Sequence, residues 1–125
     1  NPVAMAAGIT QLSILRDRPQ IDRELNEKGD WFFGELKKMI EDAGKSWQVN
    51  HVGSLGCIFF TDQHVTDYAS AKTSDTVKFA EYFHYMLDHQ IHLGPSQFEA
   101  MFLSAAHTKE ELKEVLSVIK SYMIR

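Results

Sequence analysis

Cysteine and long hydrophobic segments are nearly absent from this 125-residue sequence. Its one cysteine, Cys57, lies in the apolar run Leu55–Phe60, so no disulfide can form within the chain, and the thiol is interpreted as a small core side chain. No apolar stretch reaches the roughly 18 residues of a membrane span, and no signal peptide is recognisable. These absences predict a cytoplasmic protein in a reducing environment, without a membrane partner.

Basic charge is also scarce. The chain has 13 lysines and arginines against 17 acidic residues, which gives a formal net charge of −4. Its longest basic run is Lys37-Lys38, and it has no basic stripe of the kind that binds nucleic-acid phosphates. The sequence therefore predicts no nucleic-acid partner. A hydrophobic fraction of 44% is enough to form the core of one domain.

Motifs for self-contained catalysis are missing as well. The sequence has no G-x-S-x-G elbow, and its seven glycines are scattered rather than grouped in a phosphate-binding loop. The densest set of possible metal ligands lacks both the two-histidine helical spacing and a cysteine partner; it consists of His84, Asp88, His89 and His92. We predict no metal site and no catalytic residue in this chain.

Two helices are predicted before residue 45. Asn1-Pro2 is typical of an N-cap followed by the first helical residue, and an alanine-rich and methionine-containing helix follows as far as Leu15. Apolar residues at helical spacing then run from Ile21 to Ile40, and Gly44 is a stop signal. We expect residues 1–44 to link to, and pack against, a domain outside this sequence.

Residues 45–125 are predicted to form a small α+β domain. In chain order, we expect strands at 47–53 and 55–60, an irregular segment at 61–74, a helix from Asp75 to His89, a third strand from Ile91, a bend at Gly94-Pro95, a fourth strand at 101–104 and a helix begun by the capping box of Thr108 and Glu111. This order favours a small, mostly antiparallel sheet covered on one face by helices.

Glu99 is an acid in small and apolar surroundings, between Gly94 and Leu103. A partly buried carboxylate is costly unless a cation or hydrogen-bond donors compensate it. Two interpretations stay open. Glu99 either pairs with an arginine to close a loop, or it lines a pocket and meets a substrate ammonium or a binding-site arginine.

Three separated stretches resemble the C-terminal domain of glutamate-1-semialdehyde 2,1-aminomutases, which are fold type I pyridoxal-phosphate enzymes of the class III aminotransferase family. The stretches are Asn1–Gly8, Phe59–Gln63 with Val65-Thr66, and Pro95–Ala100 followed by Phe102–Ser104 and Ala106–Thr108. The first is shared across class III aminotransferases, whereas the other two are more particular to the aminomutases. Together they extend over the whole chain.

The resemblance implies a large domain before Asn1 that holds pyridoxal 5'-phosphate and the Schiff-base lysine, with a loop that reaches the cofactor phosphate of the partner subunit in a homodimer. The implied reaction converts glutamate 1-semialdehyde into 5-aminolevulinate for tetrapyrrole (porphyrin) biosynthesis. This chain alone, without that lysine, would be inactive. Another class III aminotransferase and a non-enzymatic interaction module stay open as alternatives.

On the same resemblance, Glu99 matches an active-site glutamate that faces a carboxylate-binding arginine of the N-terminal segment when substrate is absent. Ser96 and Gln97 belong to the same motif and are predicted to shape the loop, and Ser96 is also predicted to border the substrate. An acid at this place would disfavour a second substrate carboxylate by like-charge repulsion. Met101 and Ala105 stand where many relatives have glycine and threonine, which affects local packing.

Overall fold

The computed structural model describes all 125 residues, which form five helices and one three-stranded antiparallel sheet in the order β1-β2-β3. The elements are α1 (Pro2–Asp17), α2 (Gln20–Asp42), β1 (Gln48–Val52), β2 (Leu55–Phe59), α3 (Tyr68–Ala71), α4 (Thr76–Asp88), β3 (Met101–Phe102) and α5 (Lys109–Met123). The predicted α+β class and small antiparallel sheet are confirmed. The predicted caps at Asn1, Asp75 and Thr108 also form.

The β1–β2 hairpin turns at Gly53, whose φ of 52° is a conformation that L side chains rarely adopt. Val49 lies opposite Ile58, and both are buried. Gly56 pairs with Met101 of the short strand β3. Because residues paired across antiparallel strands share a face of the sheet, these residues define one inner face.

Helices α2, α4 and α5 cover this inner face. The core consists of 14 buried residues from these helices, from β1 and β2 and from the positions flanking the strands. Helix α2 approaches the hairpin so closely that a Cβ at Gly29 would collide with the Gly53 carbonyl, and a Cβ at Gly56 would collide with the Phe33 ring. Phe33 also stacks on His51, with ring centroids 5.1 Å apart. Two glycines therefore set the helix-to-sheet distance.

The packing of α2 corrects one prediction. We expected both N-terminal helices to pack outside the sheet domain, but α2 contributes Gly29, Phe32, Phe33, Leu36 and Ile40 to its buried side. The reason is that the small sheet needs a third helix to cover its inner face. Helix α1 buries no residue, so its packing partner and the division of the chain at residue 44 stay predictions.

Two other element predictions need correction. Residues from Ile91 to Ala100 form no strand, because the edge of β2 beyond Gly56 is occupied by a side chain rather than by backbone. The segment 61–74 contains the short helix α3, which a reciprocal capping box of Asp67 and Ser70 begins. The fourth predicted strand exists as β3 but has two residues.

The outer face of the sheet carries an apolar row at one end. Val52, Leu55 and Phe102 are in register across the three strands, and they are 82%, 37% and 72% exposed. None of the helices combines the length and the hydropathy that crossing a bilayer requires.

Candidate functional site

The 94–104 segment, Gly94 to Ser104, contains the predicted site residues and connects the end of α4 with the start of α5. Only Met101 and Phe102 of this segment join the sheet. The backbone N–H of Leu103 extends the pairing slightly by donating to the Ser54 carbonyl at 2.9 Å. The rest of the segment is therefore held by side chains and local turns.

Gln97 is the main anchor of the segment and is 2% exposed. Its Nε2 donates to the Ile58 carbonyl at 2.7 Å, and its Oε1 accepts from the Phe60 N–H at 3.4 Å. The side-chain amide thus takes the place that a strand backbone would have at the edge of β2. These two contacts are of the kind expected for the loop-shaping role that the motif predicts for Gln97.

Ser96 and Glu99 form a tight turn around this anchor. The Ser96 carbonyl accepts from the Glu99 N–H at 3.0 Å, and the Ser96 hydroxyl oxygen accepts from the Phe98 N–H at 3.2 Å. The Glu99 carboxylate folds back over Gly94, where a Cβ would lie 2.6 Å from Oε2. Any side chain at Gly94 would therefore displace the Glu99 carboxylate.

Glu99 makes no ion pair with its own chain. The two salt bridges of the structure join Arg16 to Asp17 and His51 to Asp30. No arginine of this chain therefore pairs with Glu99 to close the loop. The carboxylate is exposed and free to meet a cation that this chain does not provide.

A groove of about 490 Å³ opens beside the segment. Its wall is largely apolar, and four titratable side chains line it, namely His92, Glu99, His107 and Glu111. A mostly apolar cleft with a few polar groups is the usual form of a small-molecule site. The structure thus brings Glu99 to this groove, whereas Ser96 does not line it and acts in the turn that presents Glu99.

Lys28 of α2 holds the end of the segment, and sequence reasoning missed it. Its Nζ donates to three backbone carbonyls, those of Ser104 at 3.0 Å, Ala105 at 3.3 Å and His107 at 2.6 Å. The Ser104 N–H in turn donates to His107 Nδ1 at 3.1 Å. No pattern in the sequence indicates this contact, because its acceptors are backbone carbonyls 76 to 79 positions later in the chain.

No residue of this chain is placed to carry the pyridoxal-phosphate Schiff base. None of the nine lysines lines the groove. The ammonium of Lys28, which is bonded to three carbonyls, has no free electron pair to attack an aldehyde. The residues present therefore do not fit the reactive part of that cofactor.

The Cys57 thiol and the histidines considered as metal ligands were the other candidate groups. Burial raises the pKa of the Cys57 thiol to about 11, so at neutral pH it stays protonated and can donate to the Gln97 carbonyl at 3.5 Å. Of the histidines considered as metal ligands, His89 bonds the Tyr85 carbonyl through Nδ1 at 2.8 Å. No three His, Cys, Asp or Glu side chains are arranged so that they could hold a metal ion together.

Comparison with known proteins gives one consistent result at the level of sequence. The glutamate-1-semialdehyde 2,1-aminomutases 1 and 2 of Lachnoclostridium phytofermentans are 50% and 47% identical to this chain over 123 residues, which are 98% of the chain and 29% of each relative. The aminomutase of a Sulfurihydrogenibium species is 50% identical over 117 residues, 94% of the chain and 27% of the relative. No protein-family model matches.

Solved structures agree with this result. A transaminase with pyridoxal phosphate bound superposes with a TM-score of 0.76 at 26% identity, over 98% of this chain and 27% of that one. An omega-transaminase from Sphaerobacter thermophilus, at 20% identity, shares the fold with a TM-score of 0.83 over 99% of this chain and 28% of its own. Over nearly its whole length this chain therefore matches part of the glutamate-1-semialdehyde 2,1-aminomutases, and it spans somewhat more than a quarter of the length of the relatives it matches.

Proposed function

We propose that this chain is the C-terminal domain of a pyridoxal-phosphate-dependent aminomutase that converts glutamate 1-semialdehyde into 5-aminolevulinate in tetrapyrrole biosynthesis. The observation that carries the proposal is the identity of 47–50% with proteins of that name over 98% of the chain. The cofactor, which supplies the amino-group chemistry, is bound by parts of the protein outside these 125 residues. The chain on its own is inactive because it offers no lysine to that cofactor.

Glu99 is the residue through which this domain acts on the substrate. Its carboxylate stands at the groove wall without a cation of its own chain within ion-pair distance. Its partner is then the substrate ammonium or an arginine of the remaining protein. A fixed negative charge here also disfavours substrates with a carboxylate at that end, and the aldehyde of glutamate 1-semialdehyde avoids this repulsion. Ser96 holds the turn that presents Glu99.

Two exposed apolar surfaces support packing of this domain within a larger cytoplasmic homodimer. On α1, Met5, Ile9 and Leu12 lie on one helical face and are 65%, 62% and 68% exposed. The outer row of the sheet, Val52 with Leu55 and Phe102, is the second surface. Adjacent apolar side chains of this kind mark interfaces. We assign α1 and the outer row to contacts with the cofactor domain and the partner subunit. The unpaired Cys57 thiol suits a reducing compartment.

Replacement of Glu99 by Gln in the full-length protein tests the proposed function. The change removes the charge and keeps the shape, so we expect turnover of glutamate 1-semialdehyde to fall about tenfold and discrimination against substrates with a second carboxylate to relax. The absorbance of the bound cofactor stays unchanged. Steady-state kinetics with glutamate 1-semialdehyde and with an ordinary α-amino acid measure both effects.

Glu110→Gln is the matched control, because the Glu110 side chain is exposed and makes no hydrogen bond. It should leave both activities as they are. Loss of cofactor absorbance in Glu99→Gln would assign a structural role to Glu99. A full-length protein that forms no 5-aminolevulinate but transaminates amino acids would show that the proposed function is wrong.

A further inference from the structure

A second, much smaller cavity lies behind the wall of the groove. Its volume is about 20 Å³, and a single water needs roughly 10–15 Å³ of free volume. Leu93, Gly94, Glu99 and Met101 line both this cavity and the groove. Glu99 therefore lies between the groove and a small space of the size of one water.

Among the residues that line this cavity, Tyr82 carries a polar group without an explanation, its hydroxyl. Tyr82 is 2% exposed and lines the cavity together with Glu99 and Cys57. Its hydroxyl has no hydrogen-bond partner in the chain. A buried hydroxyl without a partner is strongly unfavourable, and such groups in proteins are normally bonded to protein or to ordered water.

The surroundings fix the proton of this hydroxyl. Burial raises the pKa of Tyr82 above its usual range, and the neighbouring ionisable groups of Tyr122 and Cys57 raise it further. The hydroxyl is therefore a donor at every physiological pH. Cys57 also keeps its proton and donates toward the Gln97 carbonyl, which leaves its sulfur lone pairs on the cavity side as weak acceptors.

We propose that one ordered water occupies this cavity and joins the Tyr82 hydroxyl to the Glu99 carboxylate, which makes Tyr82 a positioning residue for Glu99. The tyrosine donates to the water, and the water donates to the carboxylate and to a second acceptor in the wall. Two to four such partners are what a buried water requires. The water holds the carboxylate of Glu99 over Gly94, at the groove, without any cation. The functional part of this inference rests on the proposed role of Glu99 in substrate binding.

Tyr82→Phe in the full-length holoenzyme is the test, since it removes one oxygen atom and keeps the ring. If the hydroxyl is bonded to water, the variant loses a satisfied donor, and its unfolding midpoint falls by about 2 °C. If the hydroxyl has no partner, the same change removes an uncompensated polar group, and the midpoint rises. A crystal structure of the unaltered protein shows the water or an empty cavity, and an empty cavity overturns the proposal.

The link to Glu99 has its own measurement. When Glu99 is present, Tyr82→Phe is expected to lower kcat/KM about fivefold. In a Glu99→Gln background it should have no further effect, because the charge that Tyr82 positions is already gone. An equal factor in both backgrounds would reject the positioning role. Tyr122→Phe is the control, because the Tyr122 hydroxyl donates to the Lys78 carbonyl and Tyr122 does not line this cavity. It should change kcat/KM by the same factor in both backgrounds. If Glu99→Gln alone changes nothing, the proposed function fails while the crystallographic test of the water still stands.

Discussion

The β1–β2 hairpin and the 94–104 segment are neighbours at β2, yet different kinds of interaction hold them. The hairpin has five backbone pairs, and α2 presses on it at Gly29 and Gly56 without space for a side chain. The segment has two backbone pairs and is otherwise held by single polar side chains, the amide of Gln97 and the ammonium of Lys28. Close packing against α2 fixes the hairpin, whereas side-chain hydrogen bonds fix the segment.

This difference determines how each region responds to change. A collision between helix and hairpin backbones is relieved only when whole elements move, so it costs stability for the entire domain. When a side-chain hydrogen bond in the segment is lost, the segment can rearrange locally, because the turn of Ser96 and Glu99 is not paired with a strand. We infer that the segment can be retuned for substrate recognition while the hairpin supplies a constant frame.

Gly29→Ala should have the largest effect of all, because the added methyl group collides with the Gly53 carbonyl. Separating α2 from the hairpin also opens the contact of Phe33 with Gly56, so we expect a loss of about 3 kcal/mol or more, measured by denaturant unfolding or soluble yield. Gly34→Ala is the matched control in the same helix. Nothing lies within 4 Å of a Cβ there, and alanine should stabilise the helix by about 0.5–1 kcal/mol. Equal behaviour of the two variants would remove the role assigned to volume.

Gln97→Leu should have an intermediate and local effect. Leucine has a similar volume but leaves the Ile58 carbonyl and the Phe60 N–H without their partner, at a cost of about 2 kcal/mol. Amide hydrogen exchange should become faster at Phe60 and in the 94–104 segment, while the β1–β2 amides stay protected. Gln63→Leu, at an exposed position, should leave exchange in both regions unchanged. If exchange in the hairpin rises together with the segment, the two regions form one cooperative unit and the comparison fails.

Local signals in the sequence predicted four of the five helices, all except the short α3. Asn1, Asp75 and Thr108 each cap a helix by accepting from backbone N–H groups two or three residues away, so the information lies within one turn of chain. Glu99 was found through its motif and its unusual surroundings. It lies at the groove, as a pocket-lining acid should, although its role stays a prediction.

The residues that hold the segment could not be predicted in the same way. Gln97 bonds a carbonyl 39 positions earlier, and Lys28 bonds one 76 positions later. Their partners are backbone atoms, which every residue has, so no complementary side chain in the sequence indicates the contact. The third strand was predicted wrongly for the same reason, since the edge of β2 that it needed is satisfied by Gln97.

The smallest expected effect concerns the start of α5, directly after the segment. Hydrogen bonds from the Thr108 N–H and hydroxyl lower the pKa of Glu111 below its ordinary value of 4.5. A carboxyl whose pKa is lower in the folded state stabilises that state above pH 4.5, and this contribution is lost as the pH falls through the folded value.

Protection of the first-turn amides of α5 against hydrogen exchange, corrected for the intrinsic rate, should therefore decrease on acidification below pH 4.5. Glu111→Gln should remove this dependence, whereas Glu110→Gln, which alters no capping bond, should retain it. Because Gln97 carries no charge, protection at Phe60 should not follow the same titration, and a shared midpoint would mean that the cap and the segment open together.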